Sequence, residues 1–321
     1  MKVVTIGSAT LDVYLQSKAF KQIESEKFLT GVGECLALGS KNEVNNIFVD
    51  TGGGATNTAV SFANLGLDTS VMTRIGDDLF GKEVEDVLVS RNINTEYLQK
   101  DNKITTSYST LLLLEGGQRS ILVYRGASNK LVMPKKIEAD WFYISSLGGD
   151  IKLLDKLLSH AKKNNIKVVY NPGGGELKLG LSKLKKYFKK LEVLNFNREE
   201  ASTLCNVDYN RMDIMIKKLN NLAPYVVITD GPNGAFALHN NMLYFAPTLK
   251  TKPVNTTGAG DAFGSALVSG LILKTDIEFG LQLGTLNSDG VIRKMGAKNG
   301  LLEKMPTTSQ LKKIKISKEP V

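Results

Sequence analysis

Short β-branched and aromatic runs alternate along this chain with longer stretches of helical spacing, and the two periodicities mark out its elements. Residues 2–6, 70–73, 141–145, 167–170, 191–196 and 225–229 read as strands, most of them closed by glycine, asparagine or aspartate. Between them lie a small-residue helix ending at Gly66, an amphipathic helix through Val89 and a basic amphipathic helix over 151–163. From Gly258 to Val291 two further helices follow, the first with Ala262, Phe263, Ala266, Leu267, Gly270 and Leu271 at helical spacing. Strands repeatedly separated by helices predict an α/β fold, a doubly wound, mostly parallel sheet with helices on both faces. Ligands of such sheets bind beyond the carboxyl ends of the strands. The polar residues there are Asp12, in a turn just past the first strand, and Asn171, Asn197, Glu200, Thr229 and Asp230. Two regions depart from the alternation. Residues 13–50 break into a charged stretch, a glycine pair at Gly31 and Gly33 and a strand near 45–49, and residues 104–124 read as a hairpin turning at Gly116 and Gly117. Residues 236–239 and 243–245 form a terminal hairpin in this reading.

Composition narrows the classes. With 321 residues, 42% hydrophobic and 23% charged, the chain is that of a globular protein with ample core. The net charge of +9 comes from scattered lysines that are not interleaved with aromatics, which points away from nucleic acid. Basic patches at 183–190 and in the tail 304–321 read as solvated faces. An excess of positive charge also suits a ligand that carries phosphates. Two cysteines and two histidines, far apart, make neither a disulfide framework nor a zinc spacing. The first residues lack the apolar region of a signal peptide and no run approaches membrane-spanning length, so a cytoplasmic protein with no membrane partner is expected.

Four stretches carry candidate chemistry. NTTGAGDAFGSAL, residues 255–267, delivers Asp261 from a glycine turn to the start of a helix, where free N–H groups and the macrodipole favour anions. Taken alone, Asp261 is also an ordinary acid in a first helical turn. TGGGATNTAVSFANLG, residues 51–66, partly imitates the dinucleotide fingerprint: Gly52 and Gly54 match its first two glycines and Asn57 stands at the third. Arg74, rather than an acid, follows the next strand, which keeps an NADP-binding Rossmann-type protein open as an alternative of a different class. IGDDLFGKE, residues 75–83, has most of a Walker A spacing, but Glu83 replaces the magnesium-binding hydroxyl and Asp77 and Asp78 would repel phosphate. NREE, residues 197–200, reads as a helix cap with an acidic first turn.

In this order, the stretches resemble the signatures of the ribokinase-like, or PfkB, family of carbohydrate and nucleoside kinases, and the resemblance runs from about Val3 to Ala297. It implies one ribokinase-like kinase domain over 1–321 with a small β-rich lid from residues 13–50 and 105–124. It implies ATP-dependent phosphorylation of a hydroxyl group, a primary one, on a small sugar or sugar-like alcohol, with a nucleoside as the alternative acceptor. Asp261 would be the base, and the turn of Gly258, Ala259 and Gly260 would be catalytic with it, the backbone N–H groups of Ala259, Gly260 and Asp261 supplying the anion hole. Asp12, Gly53 and Asn57 would bind the acceptor hydroxyls. Thr229, Gly231 and Gly234 would line the phosphate and ribose of ATP, with Asn287 near the adenine. Asn197 and Glu200 would organise Mg2+, through water. Three residues depart from the family pattern. Asn255 replaces the aspartate that in several members helps bind a monovalent cation, and Gly54 and Thr10 replace the lysine and asparagine of ribokinases. An apolar strand edge on the lid predicts a homodimer.

Overall fold

The structure, a computed structural model, describes every residue except 27–31 and 115–118; Gly31 and the turn expected at Gly116 and Gly117 lie outside the described residues. The chain enters at β1 (Lys2–Ile6), leaves through β2 (Thr10–Gln16), β3 (Lys21–Glu24), β4 (Val32–Cys35) and β5 (Asn46–Gly52), and returns by α1 (Gly54–Asn64). β6 (Asp68–Gly76), α2 (Leu79–Ser90) and β7 (Leu98–Asp101) follow, then a second excursion, β8 (Ser107–Leu113) and β9 (Arg119–Tyr124). Strand and helix then alternate through β10 (Trp141–Ile144), α3 (Ile151–Lys163), β11 (Lys167–Tyr170), α4 (Gly174–Leu177), α5 (Leu181–Phe188), β12 (Val193–Asn197), α6 (Arg198–Cys205), α7 (Met212–Leu219) and β13 (Tyr225–Thr229). The chain ends with the hairpin β14 (Ala235–His239) and β15 (Met242–Ala246), helices α8 (Ala259–Lys274), α9 (Ile277–Ile292) and α10 (Thr308–Leu311), and β16 (Ser317–Pro320).

One ten-stranded sheet, ordered β16-β15-β14-β13-β12-β11-β10-β1-β6-β7, carries the molecule. Its pairings are parallel from β7 to β13 and antiparallel from β13 to β16. Alternate side chains of each strand point to opposite faces. Val4, Ile6, Phe142 and Ile144 pack on one face with α3, α5 and α6, while Val3, Tyr143, Val169 and Val193 pack on the other with Phe263, Leu267 and Leu271 of α8. Burial on both faces is why these strands read as continuous apolar runs rather than alternating ones.

A four-stranded sheet, β5-β2-β8-β9, stands apart from the large one; β2 pairs antiparallel with β5 and parallel with β8. It begins at Thr10, earlier than the pattern predicts, so Asp12 lies within a strand of the smaller sheet and not in a turn after β1. The tail keeps its lysines exposed, as a solvated basic face should, but it is more ordered than that reading implies. Leu311 and Ile314 are buried, and β16 adds a last antiparallel strand beside β15, an edge that the lysine-rich composition hides.

Candidate functional site

Two glycine turns face one another across the carboxyl ends of the strands. In the first, Gly53 takes φ of 98°, a conformation that favours glycine, and a Cβ there would come within 2.4 Å of the Ser8 carbonyl oxygen. That close approach seats α1 against the end of β1, and Ala55 N–H donates to the same carbonyl at 3.2 Å. Asn57, one turn into the helix, is buried and faces inward. Asp12 arrives from β2 on the same rung as Asp50 and Ser109. It is buried and accepts from Thr10 Oγ1 at 2.9 Å. Burial pushes its carboxyl up, and the Thr10 bond and the nearby Lys298 charge oppose that rise.

The second turn ends at Gly258, with φ of 80°, where a Cβ would lie 2.6 Å from the Ala297 side chain. α8 starts there without a side-chain cap. The Ala259 N–H reaches the Thr256 carbonyl at 3.3 Å, whereas Gly260 and Asp261 take no backbone acceptor among the described residues. The donors open to an anion are therefore those of Gly260 and Asp261, and Gly258 contributes the turn. Asp261 Oδ2 accepts from Asn57 Nδ2 at 2.8 Å, a bond spanning 204 residues of sequence that joins the two turns. Burial pushes the Asp261 carboxyl up, while the Asn57 bond and Lys298 hold it down.

Behind Asn57 lies a residue that sequence reading missed. Lys298 is 6% exposed and donates from Nζ to Asn57 Oδ1 at 2.8 Å and to the Thr51 carbonyl. Burial lowers its ammonium to about 8, although Asp50, Asp12 and Asp261 surround it with negative charge. Asp50 is the other omission.

On the far side of the α8 turn is a cavity of about 510 Å³ lined by Thr229, Gly231, Gly234, Ala259, Gly260 and Phe263, among others. Thr229, Gly231 and Gly234 thus line one cavity with the α8 N-terminus. Asp230, adjacent but buried, fixes this turn by accepting from Arg198 Nη1 at 2.7 Å. Asn287 does not line the cavity. It is wholly buried, donates to Ser61 Oγ at 3.0 Å and the Ala262 carbonyl at 2.8 Å, and accepts from Leu302 N–H at 2.7 Å. Thr285 and Ser288 of the same helix line the cavity instead.

Asn197 and Glu200 form a reciprocal cap on α6: Asn197 Oδ1 accepts from Glu200 N–H at 2.8 Å, and Glu200 Oε2 accepts from Asn197 N–H at 2.9 Å. Burial first, and Asp261 as a neighbouring charge, push the Glu200 carboxyl up to about 7. Among the described residues no group of three possible ligands is placed to hold a metal by itself. A single carboxylate fits a cation held largely by water and phosphate, the usual manner of magnesium beside a nucleotide.

The two remaining motifs are structural. Asp78, in the Walker-like stretch, caps α2 through Gly81 N–H at 2.8 Å and accepts from Thr106 N–H at 2.8 Å. Arg74, the residue that kept an NADP site open, is paired with Asp101 at 2.7 Å and donates to the Lys130 carbonyl. The strand before the Gly52 turn, β5, belongs to the smaller sheet while β6 after α1 belongs to the large one, so the parallel strand-helix-strand unit of a dinucleotide fingerprint is missing.

Residues 2–305 match the profile of the pfkB family carbohydrate kinases. The chain belongs to that family. Its members are phosphotransferases with an alcohol group as acceptor. Among relatives of PfkB type, a ribokinase of Lactococcus lactis is 27% identical over 98% of this chain and 99% of its own length. A deoxyribokinase of Salmonella typhi is 25% identical over 74% of this chain and 80% of its own. The ribokinase fold is seen again in the Methanocaldococcus jannaschii nucleoside kinase, with a TM-score of 0.75 at 21% identity, covering 97% of this chain and 98% of that one.

Proposed function

We propose that this PfkB kinase transfers the γ-phosphoryl group of ATP to a primary hydroxyl of a small sugar or sugar-like alcohol, with Asp261 accepting the hydroxyl proton. The observation that carries this reading is the Asn57–Asp261 bond at 2.8 Å. It sets the carboxylate between the wall that carries Asp12 and Asn57 and the cavity of about 510 Å³ that Ala259 and Gly260 of α8 line, which supports an acceptor on one side and a nucleotide on the other. A sugar hydroxyl is a weak nucleophile at neutral pH, and a positioned carboxylate speeds its attack by about 10²–10⁴-fold. As the oxygen bonds to the γ-phosphorus and the bond to ADP breaks, the proton passes to Asp261. The N–H groups of Gly260 and Asp261, at the positive end of α8, meet the charge on the transferring group. Asp12, Asn57 and Gly53 bind the other acceptor hydroxyls; a carboxylate and an amide together satisfy both hydroxyl donors and acceptors. Glu200 holds magnesium through water, and the ion supplies charge neutralisation on the phosphates when bound. Asn197 serves as the cap that fixes Glu200.

A sugar is favoured over a nucleoside because the relatives by sequence include a ribokinase and a deoxyribokinase. The test is ADP release across sugars, sugar acids and nucleosides. Turnover with a sugar supports the reading, turnover with nucleosides alone replaces the acceptor, and no turnover with any alcohol defeats it. Asp261→Asn is expected to lower kcat by about 10²–10⁴-fold with KM little changed; near-wild-type turnover would remove Asp261 from the base role.

A further inference from the structure

The chain carries 41 lysines and arginines, and nearly all of the lysines are at least partly exposed. Lys298 is the exception that needs a reason, because burying an ammonium is costly unless each of its donors finds an acceptor. It stands on the segment between α9 and α10, next to the Ala297 side chain that packs on Gly258 at the start of α8. Its Nζ reaches across to the smaller sheet at the Thr51 carbonyl and to α1 at Asn57 Oδ1.

The logic of the contact lies in which groups can only donate and which can only accept. An ammonium has no acceptor, and an ionised carboxylate has no donor. Asn57 sits between one of each, with Lys298 at Oδ1 and Asp261 at Nδ2, both at 2.8 Å. Only one orientation of the amide serves both neighbours. Were Lys298 absent, Oδ1 would lose its donor, and were it neutral, its amine could accept as well as donate, so in either case the Asp261 carboxylate alone would orient the amide.

We propose that Lys298 is a positioning residue for phosphoryl transfer: its ammonium fixes the Asn57 amide with the N–H side toward Asp261, and so sets the base. The role rests on the reading of Asp261 as the base, and it acts through Asn57 without contact with either substrate. The charged groups facing Lys298 are Asp50 from β5, Asp12 from β2 and Asp261 from α8, which favour its protonated form, and Arg91, after α2, which opposes it. Burial outweighs the three acids and brings the ammonium to about 8, so the device is charged at neutral pH and is lost on the alkaline side.

Two readouts on the full chain test this, both without added metal for the spectroscopic arm. The first is the carboxyl-carbon NMR titration of Asp261, assigned by loss of its signal in Asp261→Asn. In wild type it should show a second inflection near pH 8, where Lys298 loses its proton; in Lys298→Arg, whose charge persists through that range, this inflection should vanish. In Lys298→Met the main Asp261 titration should move upward. The second readout is the pH profile of kcat/KM. Lys298→Met should lose about tenfold or more at neutral pH, with its acid limb moved upward, KM for ATP unchanged, and activity regained in Lys298→Arg. An Asp261 titration that is identical in wild type and in Lys298→Gln or Lys298→Met, wherever the Lys298 inflection itself falls, overturns the proposal. That comparison stands even if Lys298→Met fails to fold. Loss of the kinase reading is a separate event, seen as absence of ADP release by wild type while the NMR arm still scores the Lys298–Asp261 coupling.

Discussion

Glu200 and Asn287 bracket what a single residue can disclose. Folding raises the Glu200 carboxyl from the ordinary 4.5 to about 7, so its ionised form is disfavoured in the fold. The sign follows: this group weakens folding progressively as pH rises from 4.5 to 7, and the loss is constant above that range. A cation that needs the ionised form must displace a proton below pH 7 and meets no such competition above it. Apparent Mg2+ affinity is therefore expected to rise about tenfold between pH 6 and 8 from this group alone. Mg2+ titration of ADP release in wild type and Glu200→Gln separates this from the titration of ATP itself; equal pH dependence in the two proteins would take Glu200 out of the metal site. Asn287 behaves in the opposite way. Its amide donates to Ser61 Oγ and the Ala262 carbonyl and accepts from the Leu302 N–H, so Asn287→Ala should strand the Leu302 N–H and destabilise the fold by about 1–3 kcal/mol. KM for ATP should stay as in wild type, and a large rise in KM without a lower melting temperature would return Asn287 to the nucleotide site. The family resemblance puts it beside the adenine, and a polar residue on a helix carries no mark in the sequence of what covers it. Lys298 was silent for a related reason: one lysine among 41 basic residues has no periodicity or motif, and only the fold brings Asp12, Asp50 and Asp261 around it. Asp261, by contrast, was legible because the glycines that its turn requires are written in the adjacent positions.

At the scale of elements, α8 shows why the pattern was readable in some places and not in others. Eleven of its residues, from Ala262 to Ile272, are buried, so it has no polar face, and its start is announced by chemistry rather than by amphipathicity. The parallel strands were likewise plain, being apolar on both faces. The smaller sheet was found only as an interruption, because its pairing of β2 with β8 joins segments almost a hundred residues apart and no local signal encodes it. The turn before α8 also carries the departure at Asn255. Its Oδ1 accepts from Thr257 N–H at 3.1 Å and Thr257 Oγ1 at 3.0 Å, which are the bonds a carboxylate would make to hold the same turn. Thus the amide preserves the turn's geometry and removes the charge, while its Nδ2 is buried with no partner among the described residues. Rates of ADP release in potassium, sodium and choline chloride at equal ionic strength are expected to agree, and Asn255→Asp to introduce a preference among the cations. Strong activation of the wild type by potassium would show that the charge at this position is dispensable for cation binding.

At the scale of the molecule, the register of the smaller sheet sorts its residues into a face toward the site and a face away from it. Asp12, Asp50, Ser109 and Val123 share one rung, so Val13, Val49, Thr110 and Leu122, one residue along each strand, point the other way. Ile47 and Leu15 continue this outer face, and Ile47 is 67% exposed, Leu122 61% and Val49 49%. An apolar sheet face left to solvent is an aggregation liability unless something covers it. A second copy of the same face is the occupant proposed here, since a twofold axis would lay this apolar face against its own copy and cover both. Leu122→Glu places a charge on that face at the edge strand β9, one residue along from the Asp12 rung and on the opposite side of the sheet. Light scattering at micromolar concentration should give a dimer for wild type and a monomer for Leu122→Glu. Because β5 and β2 carry Asp50, Thr51 and Asp12 on the same strands, the monomer should also bind its acceptor more weakly, with KM for the acceptor raised and KM for ATP unaffected. A wild-type monomer at that concentration would defeat the interface, and a Leu122→Glu monomer with unchanged acceptor KM would confine the interface to assembly alone.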